Sequence, residues 1–169
     1  MDIHTYYLTG IFVIILIAII KLSSVFSFGK KRYVLAQGLF TKAELSFLRS
    51  LKKAVGGDFA IYGKVRVADV INVRSGLSRR AWQHAFNFIC AKHFDYVLCD
   101  RTTHNIVAVI ELNDKSHDRL DRRRRDRLLS EICADIGLPM IQIVAARTYS
   151  PDVVRDVILR ACHEIRTQR

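Results

Sequence analysis

Apolar residues fill the N-terminal part of the chain without leaving a polar face. Residues 3–20 contain no Asp, Glu, Lys or Arg, and residues 8–20 are almost entirely aliphatic. A helix of about 18 residues reaches roughly 27 Å, close to the ~30 Å hydrocarbon core of a bilayer. A cleaved signal peptide would carry a basic n-region, which is missing here. A buried helix of a soluble protein is the weaker alternative, so we interpret residues 3–22 as a transmembrane helix.

After a basic linker at residues 23–39, the pattern alternates between helical and strand periods. Thr41-Lys42-Ala43-Glu44 has the form of a capping box and opens a helix that runs to about Val55. The remaining elements are a strand at 59–65 with a possible extension at 67–73, a helix at 79–91, strands around Asp95 and Glu111, a helix from about residue 120 to 136, a strand at 139–145 and a helix from Ser150-Pro151. This order predicts an α/β domain at residues 40–169, with a mixed sheet flanked by helices.

Two carboxylates interrupt strands that otherwise read as buried. Asp95 lies in His93-Phe94-Asp95-Tyr96-Val97-Leu98-Cys99, and Glu111 lies in Ile106-Val107-Ala108-Val109-Ile110-Glu111-Leu112-Asn113. An ionised carboxylate is costly in such a strand unless a cation, a hydrogen-bond network or a metal compensates it. Two carboxylates that face each other would suit a divalent cation with oxygen ligands, Mg²⁺ or Mn²⁺.

Whether the two carboxylates face each other depends on the hairpin that joins their strands. A three-residue loop, Thr102-Thr103-His104, would place Asp95 directly across from Glu111. A four-residue loop would put them on opposite faces unless a β-bulge intervened. Glu44 lies on the apolar stripe of its helix, where it can cap the helix, join the site, or do both.

The net charge of the chain favours an anionic binding partner. The formal net charge is +11, and Asp2 is the only charged residue among the first 20, so the remainder carries +12. Such an excess favours nucleic acid or an anionic lipid surface. The cations Lys21, Lys30, Lys31 and Arg32 follow the apolar helix, which predicts a single-pass inner-membrane protein with its C-terminal domain in the cytoplasm.

The four cysteines have no metal-ligand spacing and are expected to be free and reduced.

The strongest local charge signal is the run from Asp118 to Arg127. It holds six arginines and three aspartates, so part of this helical face stays positive even if Asp118–Arg122 and Asp121–Arg125 pair. We expect phosphate contacts from Arg119, Arg122, Arg123 and Arg125, because guanidinium binds phosphate in a bidentate manner. Three aromatic residues of the preceding helix, Trp82, Phe86 and Phe88, are interpreted as core or helix packing and not as a base-stacking platform.

The spacing Asp95-x15-Glu111-x-Asn113-Asp114-Lys115-Ser116-His117, followed by Asp121-Arg122, Arg125-Asp126 and Gly137-Leu138-Pro139, resembles the domain of unknown function 2726. That group is assigned to the PD-(D/E)XK restriction-endonuclease-like superfamily, with the very-short-patch-repair endonucleases among proteins of similar appearance. The resemblance covers about residues 40–149 and implies an αβββαβ nuclease core with one inserted helix at 79–91.

The resemblance also implies roles for individual residues. Asp95 would be the superfamily's aspartate, Glu111 the acidic member of its E-x-K pair, and Glu44 the acid of its first helix. Asn113 stands where the superfamily has lysine, and an amide cannot act as a cation toward a nucleophilic water. Lys115 or His117 would have to substitute for it, with His117 as a general acid or a metal ligand.

These observations predict a membrane-anchored, metal-dependent nuclease that hydrolyses phosphodiester bonds of nucleic acid, DNA being the first choice. Two apposed carboxylates repel phosphate, so they favour an enzyme that binds a cation over a protein that only binds nucleic acid. Two alternatives stay open. One is a catalytically degenerate nucleic-acid-binding domain, and the other is a module for membrane surfaces or protein partners, whose identity the sequence does not give.

Overall fold

The computed structural model describes residues 3–26, 33–113 and 120–167, with side-chain detail at residues 3–22, 33–113 and 126–163. Residues 1–38 and 39–169 form two compact units. The elements in chain order are α1 (Ile3–Phe26), α2 (Lys42–Val55), β1 (Phe59–Arg66), α3 (Val67–Val70), α4 (Arg79–Ile89), β2 (His93–Asp100), β3 (Ile106–Asn113), α5 (Leu120–Asp135), β4 (Met140–Val144) and α6 (Pro151–Thr167).

Helix α1 is long and apolar enough to cross a membrane between Ile3 and Leu22. At about 1.5 Å per residue, these 20 residues reach roughly 30 Å. Their side chains are all exposed, so they add nothing to a protein core. A signal sequence near the N-terminus has the same length and composition.

The second unit is built on a four-stranded mixed sheet of order β1-β2-β3-β4. β1 pairs antiparallel with β2, β2 antiparallel with β3, and β3 parallel with β4. The parallel pair requires a crossover, which α5 supplies between β3 and β4. This arrangement confirms an α/β domain with a mixed sheet and flanking helices.

Two apolar cores lie on opposite faces of the sheet. The first joins α2 and α6 to side chains such as Tyr96, Leu98 and Ile110. The second joins α3, α4 and α5 to the alternate strand positions, among them Val97, Cys99 and Val109. Since β2 and β3 are covered on both faces, their sequences are almost continuously apolar.

The loop between β2 and β3 has four residues, so the three-residue alternative is wrong. Four residues, 101–104, separate Asp100 from Asn105, whose carbonyl accepts the amide hydrogen of Asp100 at 2.8 Å. The Asp100 carboxylate accepts the amides of Thr102 (2.9 Å) and Thr103 (2.7 Å), which favours this longer turn.

A β-bulge then restores the register that the four-residue loop alone would lose. Cys99 pairs with Ile106, but Leu98 pairs with Ala108, so one extra residue, Val107, is inserted in β3. Beyond the bulge Tyr96 pairs with Ile110, and the same register places Asp95 opposite Glu111.

The strand extension considered for residues 67–73 is wrong. Val67 leaves the sheet, donates its amide hydrogen to the Lys92 carbonyl at 2.8 Å and starts the short helix α3. Its side chain is fully buried in the second core. The apolar positions of this segment serve a helical turn as well as a strand, and tertiary burial decided between the two.

Cys90, Cys99 and Cys133 form no disulfide, as expected from their spacing. Cys99 and Cys133 are buried in the second core, where they pack as small apolar side chains.

Candidate functional site

Glu44 joins the first turn of α2 to the sheet. Its Oε2 accepts the amide hydrogen of Thr41 at 2.8 Å, and the Thr41 hydroxyl accepts that of Glu44 at 3.3 Å, which completes the expected capping box. Its other oxygen, Oε1, lies 2.7 Å from the Nζ of Lys64. The Tyr96 hydroxyl donates to the Glu44 carbonyl oxygen at 2.7 Å and holds this turn against β2. Glu44 thus caps a helix and also contacts a charged partner.

Asp95 is held from two sides. Its Oδ1 lies 2.8 Å from the Lys64 Nζ, and its Oδ2 accepts the amide hydrogen of Leu112 at 2.9 Å. The side chain is only 13% exposed. An ion pair and a backbone donor therefore compensate a carboxylate that the sequence places in a buried strand.

Lys64 reaches both carboxylates because of its backbone conformation. Its φ is 56°, in the left-handed region that residues with a side chain rarely adopt. Before Lys64, Phe59 and Ile61 pack in the first core. After it, Val65 packs in the second core, although strict alternation would return it to the first. The change of face occurs where β1 passes Asp95, and it leaves the ammonium between Glu44 and Asp95.

Glu111 has the most strongly shifted carboxyl group of the site. Burial, the charge of Asp95, a hydrogen bond with Asp95 and the charge of Asp126 raise the pKa of Glu111 to about 8, against a smaller lowering by Lys64. Glu111 faces the α5 side of the sheet, since burial and the Glu111 charge raise the pKa of Cys133 to about 11. At neutral pH without a cation, Glu111 therefore keeps its proton.

The net pKa shift of Glu44 has the opposite direction to that of Glu111. Burial works against ionisation, but the hydrogen bond from Lys64, the Thr41 amide and the Lys64 charge together hold the pKa of Glu44 below its usual value. The pKa of Lys64 is raised by Asp95 and Glu44, in spite of its partial burial. Glu44 and Lys64 therefore remain charged at neutral pH. Together with Asp95 and Glu111 they form a cluster of three acidic residues and one lysine. We call these four residues the acidic-lysine cluster.

The acidic-lysine cluster offers oxygen ligands of the kind that Mg²⁺ and Mn²⁺ prefer. Asp95 and Glu111 lie close enough to raise the pKa of Glu111, and a divalent cation between them would remove that repulsion. Among the residues that the structure describes, no group of three or more His, Cys, Asp and Glu side chains is placed to hold a metal ion. A cation held by this pair would therefore keep several waters, as Mg²⁺ usually does.

Asn113 lies at the end of β3 and turns to β4, where its Nδ2 donates to the Gln142 Oε1 at 3.2 Å. Lys115, His117 and Arg119 lie outside the described residues. Arg122, Arg123 and Arg125 belong to the first half of α5, in the part of the helix without side-chain detail. Further along α5, Arg127 pairs with Glu131 at 3.1 Å, which is a helix-surface pair.

Two residues of the site were missed from the sequence. Lys64 lies in a strand that reads as structural, and only the pairing of β1 with β2 brings it to Asp95. Asp126 comes from α5, and its charge contributes to the raised pKa of Glu111. The one local signal for Lys64 is a charged residue between Gly63 and Val65, inside the apolar part of β1.

No curated protein and no solved structure matches the chain. A family model described as a protein of unknown function, DUF2726, matches residues 36–162. The matched segment contains the whole sheet and the acidic-lysine cluster. The chain therefore belongs to the DUF2726 family.

Proposed function

We propose that residues 39–169 form a metal-dependent nuclease domain of the PD-(D/E)XK type, which hydrolyses phosphodiester bonds in nucleic acid. The observation that carries this proposal is the Lys64 ammonium, held 2.7 Å from Glu44 and 2.8 Å from Asp95 on a strand next to the Asp95 strand. A fixed cation beside two carboxylates is the combination that phosphodiester hydrolysis needs for binding and neutralising negative charge.

Lys64 fills the role that Asn113 cannot perform. An ammonium group has three donors, and Glu44 and Asp95 take two of them. The third is left to donate to a nucleophilic water or to a phosphoryl oxygen. Asn113 instead bonds to Gln142 on β4. The lysine of the site would thus come from β1 and not from the E-x-K position of β3.

Asp95 and Glu111 would hold Mg²⁺ or Mn²⁺. When bound, such a cation polarises a phosphoryl oxygen and lowers the pKa of a coordinated water. The chain's own part is to supply two oxygen ligands, to keep Asp95 in place through the Leu112 amide, and to keep Lys64 charged. Glu111 would release its proton as the cation takes its place, because an opposite charge favours the ionised form.

The arginines of α5 would hold the phosphate backbone. Asp126 lies near enough to Glu111 to influence its pKa, so α5 passes the acidic-lysine cluster. Arg119, Arg122, Arg123 and Arg125 come just before Asp126 in the sequence, and we propose that they supply the positive charge that binds phosphate. Because the carboxylates repel phosphate, a surrounding basic surface is needed to bind nucleic acid at all.

The proposal is tested on the full chain in detergent micelles, with plasmid DNA, single-stranded DNA and RNA as substrates. We expect cleavage with Mn²⁺ or Mg²⁺ and none with EDTA. Asp95→Ala, Glu111→Ala and Lys64→Met should abolish cleavage. The matched controls Asp135→Ala and Lys52→Met remove an exposed acid of α5 and an exposed lysine of α2, and both should cut normally.

Binding measured beside cleavage separates the alternatives. Asp95→Ala should bind DNA as well as the unmodified chain or more tightly, because negative charge is removed. Binding without cleavage under any metal would establish a degenerate nucleic-acid-binding domain. If neither binding nor cleavage occurs, the basic surface serves lipid headgroups or a protein partner, and the nuclease proposal is wrong.

We further propose that α1 anchors this domain as a single-pass helix of the inner membrane, with residues 30–169 in the cytoplasm. The apolar length of Ile3–Leu22 supports a span. Lys21, Lys30, Lys31 and Arg32 follow the span, against Asp2 alone before it, and positive charges are retained on the cytoplasmic side. A cytoplasmic domain would have access to nucleic acid.

A further inference from the structure

The segment between β1 and β2 is inserted at the end of the sheet that carries the acidic-lysine cluster. β1 ends two residues after Lys64, and Asp95 is the third residue of β2. The amide of Val67 donates to the Lys92 carbonyl at 2.8 Å and closes the base of this insertion. Residues 67–92, which contain α3 and α4, therefore begin and end next to the candidate site and pack on the second core.

The outer surface of this insertion is positive. No Asp or Glu occurs from residue 70 to residue 94. The nearest acid, Asp69, pairs with Arg66 at 2.6 Å. Arg74, Arg79 and Arg80 are exposed, and among the described side chains none forms an ion pair with them. A ligand for this surface must therefore be anionic.

An aromatic pair lies on the same surface. The rings of Trp82 and Phe86 stack at 5.0 Å between centroids and at 10° between planes. Trp82 is 40% exposed and joins neither core. Trp82 thus packs on its own helix through Phe86 and takes no part in the core, while the outer part of its ring stays exposed. Phe88 packs on the second core, and Lys92 lies 4.6 Å above its ring. One turn of helix separates Arg79 from Trp82, so a cation and a flat ring face solvent together.

We propose that residues 74–86 bind unpaired nucleotides of the substrate, with a base stacked on Trp82 and phosphates on Arg74, Arg79 and Arg80. This inference rests on the proposed nuclease function and narrows its substrate to nucleic acid with single-stranded nucleotides. An exposed aromatic ring among cations is the usual platform for single strands, because every base has a flat face. Paired bases inside a duplex have no such face to offer.

The composition of the surface favours nucleic acid over a lipid bilayer. A helix that lies in a membrane interface presents a broad apolar face. In the insertion, Leu77 and Trp82 are the large apolar side chains that are strongly exposed, and Phe86 is half covered. The apolar face of α4 is used instead for the second core, where Ile89 is buried. Two exposed apolar side chains suit one or two bases better than an acyl-chain region.

The test uses a property of the chain itself, since Trp82 is its one tryptophan. The full chain in detergent micelles, with EDTA to prevent cleavage, is titrated with oligo(dT), oligo(rU) and a DNA duplex. Each nucleic acid is about 16 nucleotides long, which is within the usual size of a single-strand binding site. We expect the single strands to quench Trp82 fluorescence, and the duplex to leave it unchanged. The single strand that binds with the lower Kd, oligo(dT) or oligo(rU), identifies DNA or RNA as the natural ligand.

Variants are compared by anisotropy of a labelled single strand. Trp82→Ala should weaken binding about 5- to 100-fold, the range that follows from the usual contribution of one stacked base. Trp82→Phe keeps a flat ring and should restore most of the affinity. Arg79→Ala with Arg80→Ala should reduce the slope of log Kd against log salt by about 1.4, that is about 0.7 for each lost phosphate contact. Lys52→Met on α2 is the control and should change neither value.

The failure of this inference differs from that of the nuclease proposal. Quenching without metal-dependent cleavage would leave the nucleotide-binding surface and remove the enzyme. Cleavage without quenching of Trp82 fluorescence, or equal quenching by duplex and single strand, would show that the proposed single-strand binding surface is wrong. The same holds if brominated anionic lipids in nanodiscs quench Trp82 and oligonucleotides do not, because the surface then binds the bilayer.

Discussion

The acidic-lysine cluster depends on one strained residue. Lys64 adopts a φ of 56°, and a residue held in that region commonly costs about 1–3 kcal/mol. The ion pairs with Glu44 and Asp95 compensate that cost, because both carboxylates are largely buried. Strain of this kind persists where neighbouring contacts over-determine the backbone, and here those contacts are the ones that would serve catalysis.

Replacing Lys64 separates the strain from the ion pairs. Lys64→Met and Lys64→Gly both remove the ammonium, but only glycine adopts the left-handed conformation freely. We expect both variants to lower the free energy of unfolding, with Lys64→Gly the more stable of the two by about 1 kcal/mol. Denaturant unfolding of the full chain in micelles measures the difference. Equal stabilities would mean that the backbone at Lys64 is unstrained.

Glu111 makes stability depend on pH. Its pKa of about 8 in the folded protein lies above the ordinary value of 4.5, so the folded state binds an extra proton between these values. Without metal, the free energy of unfolding should therefore be highest at the acid end of this window. It should fall as pH rises through it, by at most about 1.4 kcal/mol per pH unit.

Glu111→Gln is the test of this pH dependence, because glutamine imitates the protonated acid. The variant should flatten the fall in unfolding free energy between pH 5 and pH 8, as followed by thermal unfolding in EDTA. Glu131→Gln, an exposed partner of Arg127 on α5, is the control and should keep the slope of the unmodified chain. A wild-type slope that survives in Glu111→Gln belongs to another group.

At the scale of elements, an aromatic cluster positions the N-terminal end of α2. Phe40 stacks on Tyr96 at 5.7 Å and 11°, and Phe47 lies 5.5 Å from the same ring. Tyr96 in turn donates to the Glu44 carbonyl. A Cβ at Gly63 would overlap the Phe40 ring, so β1 needs glycine at this close approach. The position of Glu44 thus depends on side chains from α2, β1 and β2 together.

Gly63→Ala should displace Phe40 and lower the free energy of unfolding by about 1–3 kcal/mol, the usual cost of overpacking. The matched control is Gly57→Ala, where a Cβ would meet nothing within 4 Å. Thermal unfolding of the two variants gives the comparison. A Gly63→Ala protein as stable as Gly57→Ala would show that Phe40 moves without cost.

The first half of α5 is expected to set the electrostatics of binding. Arg122→Ala with Arg125→Ala should weaken DNA binding and reduce the slope of log Kd against log salt by about 1.8, if each residue contacts one duplex phosphate. Arg127→Ala is the control from the same helix, because Arg127 is engaged with Glu131. An unchanged salt slope in the double variant would exclude α5 from the phosphate contacts.

For the whole molecule, we propose that the charges that follow the apolar helix decide its orientation in the membrane. We expect a reporter fused after residue 169 to be active in the cytoplasm, because Lys21, Lys30, Lys31 and Arg32 follow the apolar segment. Moving four basic residues to the N-terminal side of Ile3, and replacing the four native ones by Gln, should reverse the orientation. A periplasmic reporter on the unmodified chain would contradict the topology and remove access to cytoplasmic DNA.

The local pattern determined much of this protein. The capping box of α2, the position of β4, the start of α6 and the long apolar helix all followed from residue spacing, because each depends on neighbours within a few positions. The apolar runs around Asp95 and Glu111 likewise required strands covered on both faces. The same apolar runs also indicated that the charges of both carboxylates need a compensating partner.

Only the tertiary structure decided what compensates those acids. The hairpin has four residues and not three, and the one extra residue of the bulge at Val107 restores the register, which no periodicity encodes. Lys64 is 31 residues from Asp95 in sequence and reaches it through strand pairing and a left-handed backbone. Trp82, whose spacing resembles core packing, faces solvent because the second core is already filled by Phe88 and Ile89. The spacing of residues along the chain determines local hydrogen bonds and which face of a helix or strand is apolar. Which residues meet across neighbouring strands is determined by how all the strands and helices pack into the limited buried space.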